Sequence, residues 1–424
     1  MIKLGRNILE NMARYSKLPS LHNYGVYEEE AEFIRQAPKN MIVLGAADEE
    51  FSTEPIGIPY DGYQFNALIF GKKGSGKTSL LSLIAHQLHY RFHHPILWID
   101  PAWEVHTQNQ RQPNPMLRAR LKDYGLSSKG LPLFICAPQH CIEEGDENLG
   151  GYSFVFDLID FKKIKKKDVR FRTMLEFFNI EDRSPPARQL MEYREQLPDT
   201  FDEFIEILEE NRVRTQVLEQ TLKAFSMGGA IGKGNRVHIP RIMEQPNGEK
   251  KVVILQLSTE FELTTASYLK MILLSIVSDR KSGKKGSTKS FLKTPPVVML
   301  DEADVYADNY GSRPTIDRFS TKHRKLDIFN IAATQKPQYI SRKVLGETDY
   351  IITSKLFQTE EKAVLVERGM NESDVENIFK DLKWDKNNPV KEHALIKSSG
   401  EYETFFPLPS PTKMFVEKRS KMAT

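Results

Sequence analysis

The chain has 424 residues, with 60 Lys and Arg against 57 Asp and Glu, 40% hydrophobic and 28% charged residues, and two cysteines. No run approaches the roughly 18 consecutive apolar residues of a membrane span, and Cys136 with Cys141 supplies neither a disulfide scaffold nor a four-ligand zinc site. Near-balanced charge neither demands nor excludes a polyanionic partner, because binding depends on where cations concentrate. The length fits two or three domains, or one α/β core with large insertions. Met1 to Arg14 is basic but lacks the apolar core and cleavage site of a secretion signal, so a reducing, cytoplasmic setting is expected.

Residues 1–60 read as a lead-in segment, with a polar helix around Glu28 to Arg35 and short strands near Met41–Leu44 and Pro55–Pro59. At Phe65 the pattern changes. Asn66-Ala67-Leu68-Ile69-Phe70 is an apolar run, a Gly-rich turn follows, and Leu80 to His89 keeps helical period: a strand, loop and helix. Pro95–Ile99, ending in Asp100, and Leu133–Cys136 are further buried strands, so residues 61–160 form the first part of an α/β core with a parallel sheet. Residues 161–245 have a charged, helical texture, with a capping box at Thr200 to Glu203 and helical period over Val213–Phe225, and are expected to be an α-helical insertion. The core resumes over 246–406. It begins with a strand at Lys251–Leu257, a helix from about Thr264 to Asp279 and a Gly/Ser/Lys loop from Lys281 to Lys293. Strands at Val297–Leu300, Ile328–Ala333 and Tyr350–Thr353, a helix at Glu361–Gly369 and a strand pair at Glu392–Lys397 and Tyr402–Phe406 complete it. Residues 407–424, Pro-rich and then basic, are expected to be a mobile tail.

Gly71-Lys72-Lys73-Gly74-Ser75-Gly76-Lys77-Thr78 matches the pattern G-x-x-x-x-G-K-[ST] and sits between a strand and a helix, where a phosphate loop belongs. Its glycines let backbone N–H groups turn inward around phosphates, and Gly71, Gly74, Ser75, Gly76, Lys77, Thr78 and Ser79 are the expected ATP-binding residues. Lys77 would reach the β- and γ-phosphates, and the Thr78 hydroxyl would ligate Mg²⁺. Such a loop needs a carboxylate at the end of another strand. Val297-Val298-Met299-Leu300-Asp301-Glu302 supplies Asp301 for the metal and Glu302 to polarise the attacking water. The Asp301 strand is expected to fold back beside the phosphate-loop strand. Gln335, ending the following strand, would contact the γ-phosphate or the water.

These motifs in this order resemble the HerA/FtsK superfamily of P-loop motors. The residues that carry the resemblance are Leu300-Asp301-Glu302-Ala303, Arg324 in His323-Arg324-Lys325, Ala332-Ala333-Thr334-Gln335-Lys336-Pro337, and Asp100-Pro101-Ala102-Trp103-Glu104. They lie within about residues 60–105 and 250–360, and residues 161–245 match no pattern of the family. The resemblance implies a RecA-like (ASCE) P-loop ATPase core, a parallel-rich sheet flanked by helices, that assembles as a ring, a hexamer in the family's manner, and uses ATP and Mg²⁺ to translocate DNA. It implies an arginine delivered in trans, Arg324 by position, with Arg318 as the alternative. Conjugation and type IV secretion, viral packaging and HerA-like branches stay open, and with them a nuclease, portal or secretion-channel partner.

For DNA the candidates are the lysines of Lys162 to Lys167, Lys233 between two glycines with Arg236 just after, and Lys284 and Lys285 in the expected loop, which would meet backbone phosphates without sequence readout. Solvated loops would show the same composition. Two rival classes remain: a secretion-system ATPase acting on protein partners, and a nucleotide switch, against which Glu302 speaks.

Overall fold

The structure, a computed structural model, describes residues 38–51, 54–101, 105–138, 152–154, 167–177, 180, 184–192, 203, 206, 210, 238–256, 262–284, 290–307, 313–356, 358–383 and 391–414. Twelve strands form one sheet in the order β2-β1-β12-β11-β10-β3-β9-β8-β4-β7-β5-β6. They are β1 Met41–Ala46, β2 Pro55–Pro59, β3 Asn66–Phe70, β4 Ile96–Ile99, β5 Leu133–Pro138, β6 Tyr152–Phe154, β7 Val252–Leu255, β8 Val297–Leu300, β9 Phe329–Thr334, β10 Tyr350–Ser354, β11 His393–Lys397 and β12 Tyr402–Pro407. Every neighbouring pair from β10 to β6 is parallel, and every pair from β10 back to β2 is antiparallel.

The parallel strands are apolar at nearly every position because both faces are covered. Ile96–Ile99, Val252–Leu255 and Val297–Leu300 are buried throughout. Side chains alternate between two cores. Ile69, Trp98, Ile254, Met299 and Ile331 face one way and pack with Leu80, Leu81, Ile84 and Leu88 of the helix Lys77–Tyr90. Phe70, Ile99, Leu255, Leu300 and Ala332 face the other way, against Leu269, Ile272, Leu273 and Ile276 of the helix Glu262–Lys284 and Val375, Ile378 and Phe379 of the helix Glu372–Asp381. Fully burying one such side chain contributes about 1.5–3 kcal/mol, so this two-sided burial holds the strand ends that carry the site.

Three expectations change. Asp301 does not end a strand adjacent to β3: β9 lies between, pairing Phe70 with Thr334 and Leu300 with Ala332. The helix Lys77–Tyr90 carries the chain across from β3 to β4, and β8 and β9 later fill the gap from the far side. Second, the expected loop from Lys281 is helix as far as Lys284. Asp279 accepts hydrogen bonds from Ser290 Oγ, Phe291 N and Leu292 N, and Gly283 lets Ser290 lie within 2.7 Å of where a Cβ would sit, so the returning chain packs on the last turn. Third, the tail from Pro407 is packed as far as residue 414. Ser410 and Thr412 are buried and hydrogen-bond Ser82, and Gln112 Nε2 donates to Ser410 O.

The Glu28–Arg35 helix, Thr200, Val213–Phe225 and residues 415–424 lie outside the described residues. Among the described residues no helix is long and apolar enough to cross a membrane.

Candidate functional site

The phosphate loop leaves β3 at Gly71, whose N–H donates to Thr334 O on neighbouring β9. A Cβ at Gly71 would collide with the hydroxyls of Ser75 and Ser354. Gly74 and Gly76 have φ of +80° and +93°, the left-handed region that L side chains rarely enter, and this turns the loop into the first turn of the helix. The Lys77 ammonium folds back over the loop, donating to Gly71 O at 2.8 Å and Lys72 O at 3.2 Å. That first turn carries no acidic residue of its own, so its positive end is open to an anion from outside the helix.

At the end of β8, Asp301 is buried and its N–H continues the ladder to Ile99 O. Asp100 ends the neighbouring strand β4, fully buried, and accepts from Val105 N at 3.0 Å. Burial, then the charge of Asp100, push the Asp301 carboxyl up to about 7, while the Lys77 ammonium, a hydrogen bond from Thr78 and the Glu302 N–H pull it down. Thr78 and Asp301 are thus brought together across two strand positions. A hydroxyl and a carboxylate are hard oxygen donors suited to Mg²⁺, so the residues present fit that ion.

Glu302 adopts φ +47°, uncommon for a side chain with a Cβ, and its N–H donates to Asp301 Oδ1 at 3.0 Å. The turn aims its carboxylate at β9, where Gln335 Nε2 donates to Glu302 Oε1 at 2.8 Å. Asp304, not singled out from sequence, ties the two strand ends together. Its buried Oδ1 accepts from Thr334 Oγ1 at 2.8 Å and Gln335 N at 3.1 Å. The signal was present in Leu300-Asp301-Glu302-Ala303-Asp304, an acid one helical turn beyond the strand end.

Lys77, Thr78, Asp301, Glu302 and Gln335 therefore converge at the C-terminal ends of β3, β9 and β8, the edge where open α/β sheets bind ligands. Arg324 does not join them. It lies at the opposite edge, donating to Asp349 Oδ1 at 2.7 Å and Glu347 O at 3.0 Å, just before β10 begins. The same Asp349 accepts from Asn66 N at the start of β3. Lys284 is not a loop lysine facing solvent alone: it ends its helix, pairs with Asp327 at 2.9 Å and donates to Lys325 O. Glu104, Lys162 to Lys166, Lys233, Arg236 and Lys285 lie outside the described residues, as does the Arg318 side chain.

No protein-family model and no curated sequence matches the chain. Among solved structures, VirB4 of Thermoanaerobacter pseudethanolicus is similar with TM-score 0.52 at 12% identity, covering 87% of this chain and 96% of that one. That likeness establishes the fold, a large, mostly parallel sheet flanked by helices. The bacterial conjugative coupling protein TrwBdeltaN70 gives TM-score 0.43 at 13% identity over 90% of this chain and 83% of that one. B204, the DNA-packaging ATPase from Sulfolobus Turreted Icosahedral Virus, gives 0.37 at 11% over 82% and 98%. At those scores the latter two add nothing to the fold assignment.

Proposed function

We propose that this chain is an ATP-hydrolysing, ring-forming motor of the HerA/FtsK kind that translocates DNA. The observation that supports it most is the convergence of a phosphate loop, a buried strand-end Asp301 bonded to Thr78, and a Glu302 carboxylate held by the Gln335 amide. In this reading the backbone from Gly71 to Ser79 wraps the phosphates, and Lys77 leaves the Gly71 and Lys72 carbonyls for the β- and γ-phosphates. Thr78 and Asp301 hold Mg²⁺, which when bound would neutralise phosphate charge. Glu302 takes the proton of the attacking water, and Gln335 fixes that carboxylate and senses the γ-phosphate. Arg324, remote from its own loop, acts on a neighbour's nucleotide in a ring, proposed to be a hexamer. Lys233, Arg236, Lys284 and Lys285 remain the proposed DNA contacts, Lys284 exchanging its exposed pair with Asp327 for a phosphate.

The test is the ATPase rate with duplex DNA, with single-stranded DNA and with no polymer, alongside DNA affinity across a salt series. Stimulation by DNA is expected, with log K falling linearly against log[salt] by about 0.9 per phosphate contact on duplex. ATP turnover with no DNA stimulation and no salt-sensitive DNA affinity would replace the translocase with a secretion-type ATPase that acts on proteins.

A further inference from the structure

At the phosphate loop and the strand ends beside it, three buried polar atoms have no hydrogen-bond partner among the described residues: Ser75 Oγ, Ser354 Oγ and His393 Nε2. Their residues are 3%, 0% and 0% exposed, and an unsatisfied polar atom at that depth is costly. They come from three elements. Ser75 belongs to the loop, Ser354 ends β10, and His393 opens β11 directly opposite Ser354 in the antiparallel register. The Ser75 and Ser354 hydroxyls flank one point beside Gly71, the place a Cβ there would occupy. The imidazole faces the Ser75 main chain and the Lys77 ammonium.

The chemistry of the ring selects its role. His393 Nδ1 lies 2.7 Å from Lys391 O, and a carbonyl only accepts, so Nδ1 carries the proton. Burial holds the ring's pKa down at about 4, leaving it neutral, and Nε2 therefore has a lone pair and no hydrogen. Two hydroxyls can donate to that lone pair, Ser75 on the loop and Ser354 directly opposite His393 in the register. We propose that His393 is a positioning residue for the phosphate loop: when the loop closes on nucleotide phosphates, Ser354 Oγ–H donates to Ser75 Oγ and Ser75 Oγ–H donates to His393 Nε2. His393 Nδ1–H to Lys391 O completes a relay of aligned hydrogen bonds from the loop into β11. Closing it requires the Ser75 hydroxyl to turn down as its backbone N–H turns up to phosphate, so nucleotide binding and satisfaction of the three atoms reinforce each other. The inference rests on the nucleotide-binding reading of the loop and adds a coupling from that loop to the antiparallel half of the sheet.

The test measures Mg·ATPγS affinity and the imidazole ¹⁵N signals of His393 in the full chain. Wild type should show Nδ1 protonated and Nε2 unprotonated, with the Nε2 signal shifting on addition of nucleotide. His393→Phe should weaken ATPγS binding about tenfold and Ser354→Ala about threefold, while His393→Gln, whose side-chain oxygen can accept the hydroxyl, recovers most of the loss. An Nε2 signal unmoved by saturating nucleotide, or a soluble Ser354→Ala protein and His393→Phe protein that both bind as wild type, would overturn the relay. Should His393→Phe fail to fold, Ser354→Ala and the wild-type spectra decide. A wild type that binds no ATPγS would remove the nucleotide reading itself, and with it the relay.

Discussion

At the scale of single residues, Lys77 and Glu302 are separable because one touches phosphate oxygens and the other a water. Lys77→Ala removes the cation that now spans Gly71 O and Lys72 O, and nucleotide binding should be lost. Glu302→Gln keeps the strand-end turn and a partner for Gln335, so it should bind ATP yet turn it over at under about a hundredth of the wild-type rate, since a positioned base contributes ~10² to 10⁴. Near-normal turnover in single-turnover assays would remove Glu302 from the base role. Asp304 makes a different case. Its Oδ1 serves both Thr334 Oγ1 and Gln335 N, so Asp304→Ala leaves the Thr334 hydroxyl proton and the Gln335 N–H without their acceptor and should cost about 2 kcal/mol in urea denaturation. Turnover should fall more than ATP affinity, because the strand end that carries Gln335 loosens while the phosphate loop stays intact.

At the scale of elements, the turn before β10 gathers Arg324, Asn66 and Arg368. Arg324 pairs with Asp349 and Glu347, Asn66 N donates to Asp349 Oδ2, and Arg368 Nη2 donates to Thr348 O. Arg324 is 43% exposed, and exposed pairs contribute about 0–1 kcal/mol. Arg324→Ala should therefore leave the melting temperature and the ATP affinity of the isolated subunit nearly unchanged. If Arg324 acts in trans, hydrolysis in the assembled ring should fall by ~10³ to 10⁵. Mixing that variant with Lys77→Ala protein should restore part of the activity at mixed interfaces. An assembled Arg324→Ala ring with the wild-type rate would leave Arg324 as a brace between β3 and β10, with Arg318 as the next residue to test.

At the scale of the whole molecule, burial of titratable groups sets the response to pH. His86, His94 and His393 are each pushed down to about 4 by burial above all, below the ordinary value near 6.5. Between pH 6.5 and 4 the unfolded chain then binds protons that the folded chain refuses, so these rings lose stability as pH falls, by up to about 1.4 kcal/mol per unit each. Asp301 and Asp123, raised by burial to about 7 and about 8, act in the opposite sense and lose stability as pH rises from about 4 through those values. His86→Phe removes one of these rings: the fall in urea midpoint from pH 7 to pH 5 should be smaller in the variant than in wild type. Equal falls in the two proteins would show that His86 titrates normally in the fold.

The residues themselves determine the local units. A run such as Asn66 to Phe70 before a Gly-rich turn is a strand entering a phosphate loop, and Leu300-Asp301-Glu302 is a buried strand ending in acids, because period and turn chemistry act over a few neighbours. Tertiary structure decided what pairing alone controls. It put β9 between β3 and β8, so that Gln335 meets Glu302, carried Arg324 to the far edge, and seated Lys284 on Asp327. It also set Ser354 opposite His393 and brought the Ser75 and Ser354 hydroxyls to either side of one point beside Gly71, which no local pattern links. Strand order and long-range contact depend on which buried faces fit together, and neighbours in the chain carry no record of that choice.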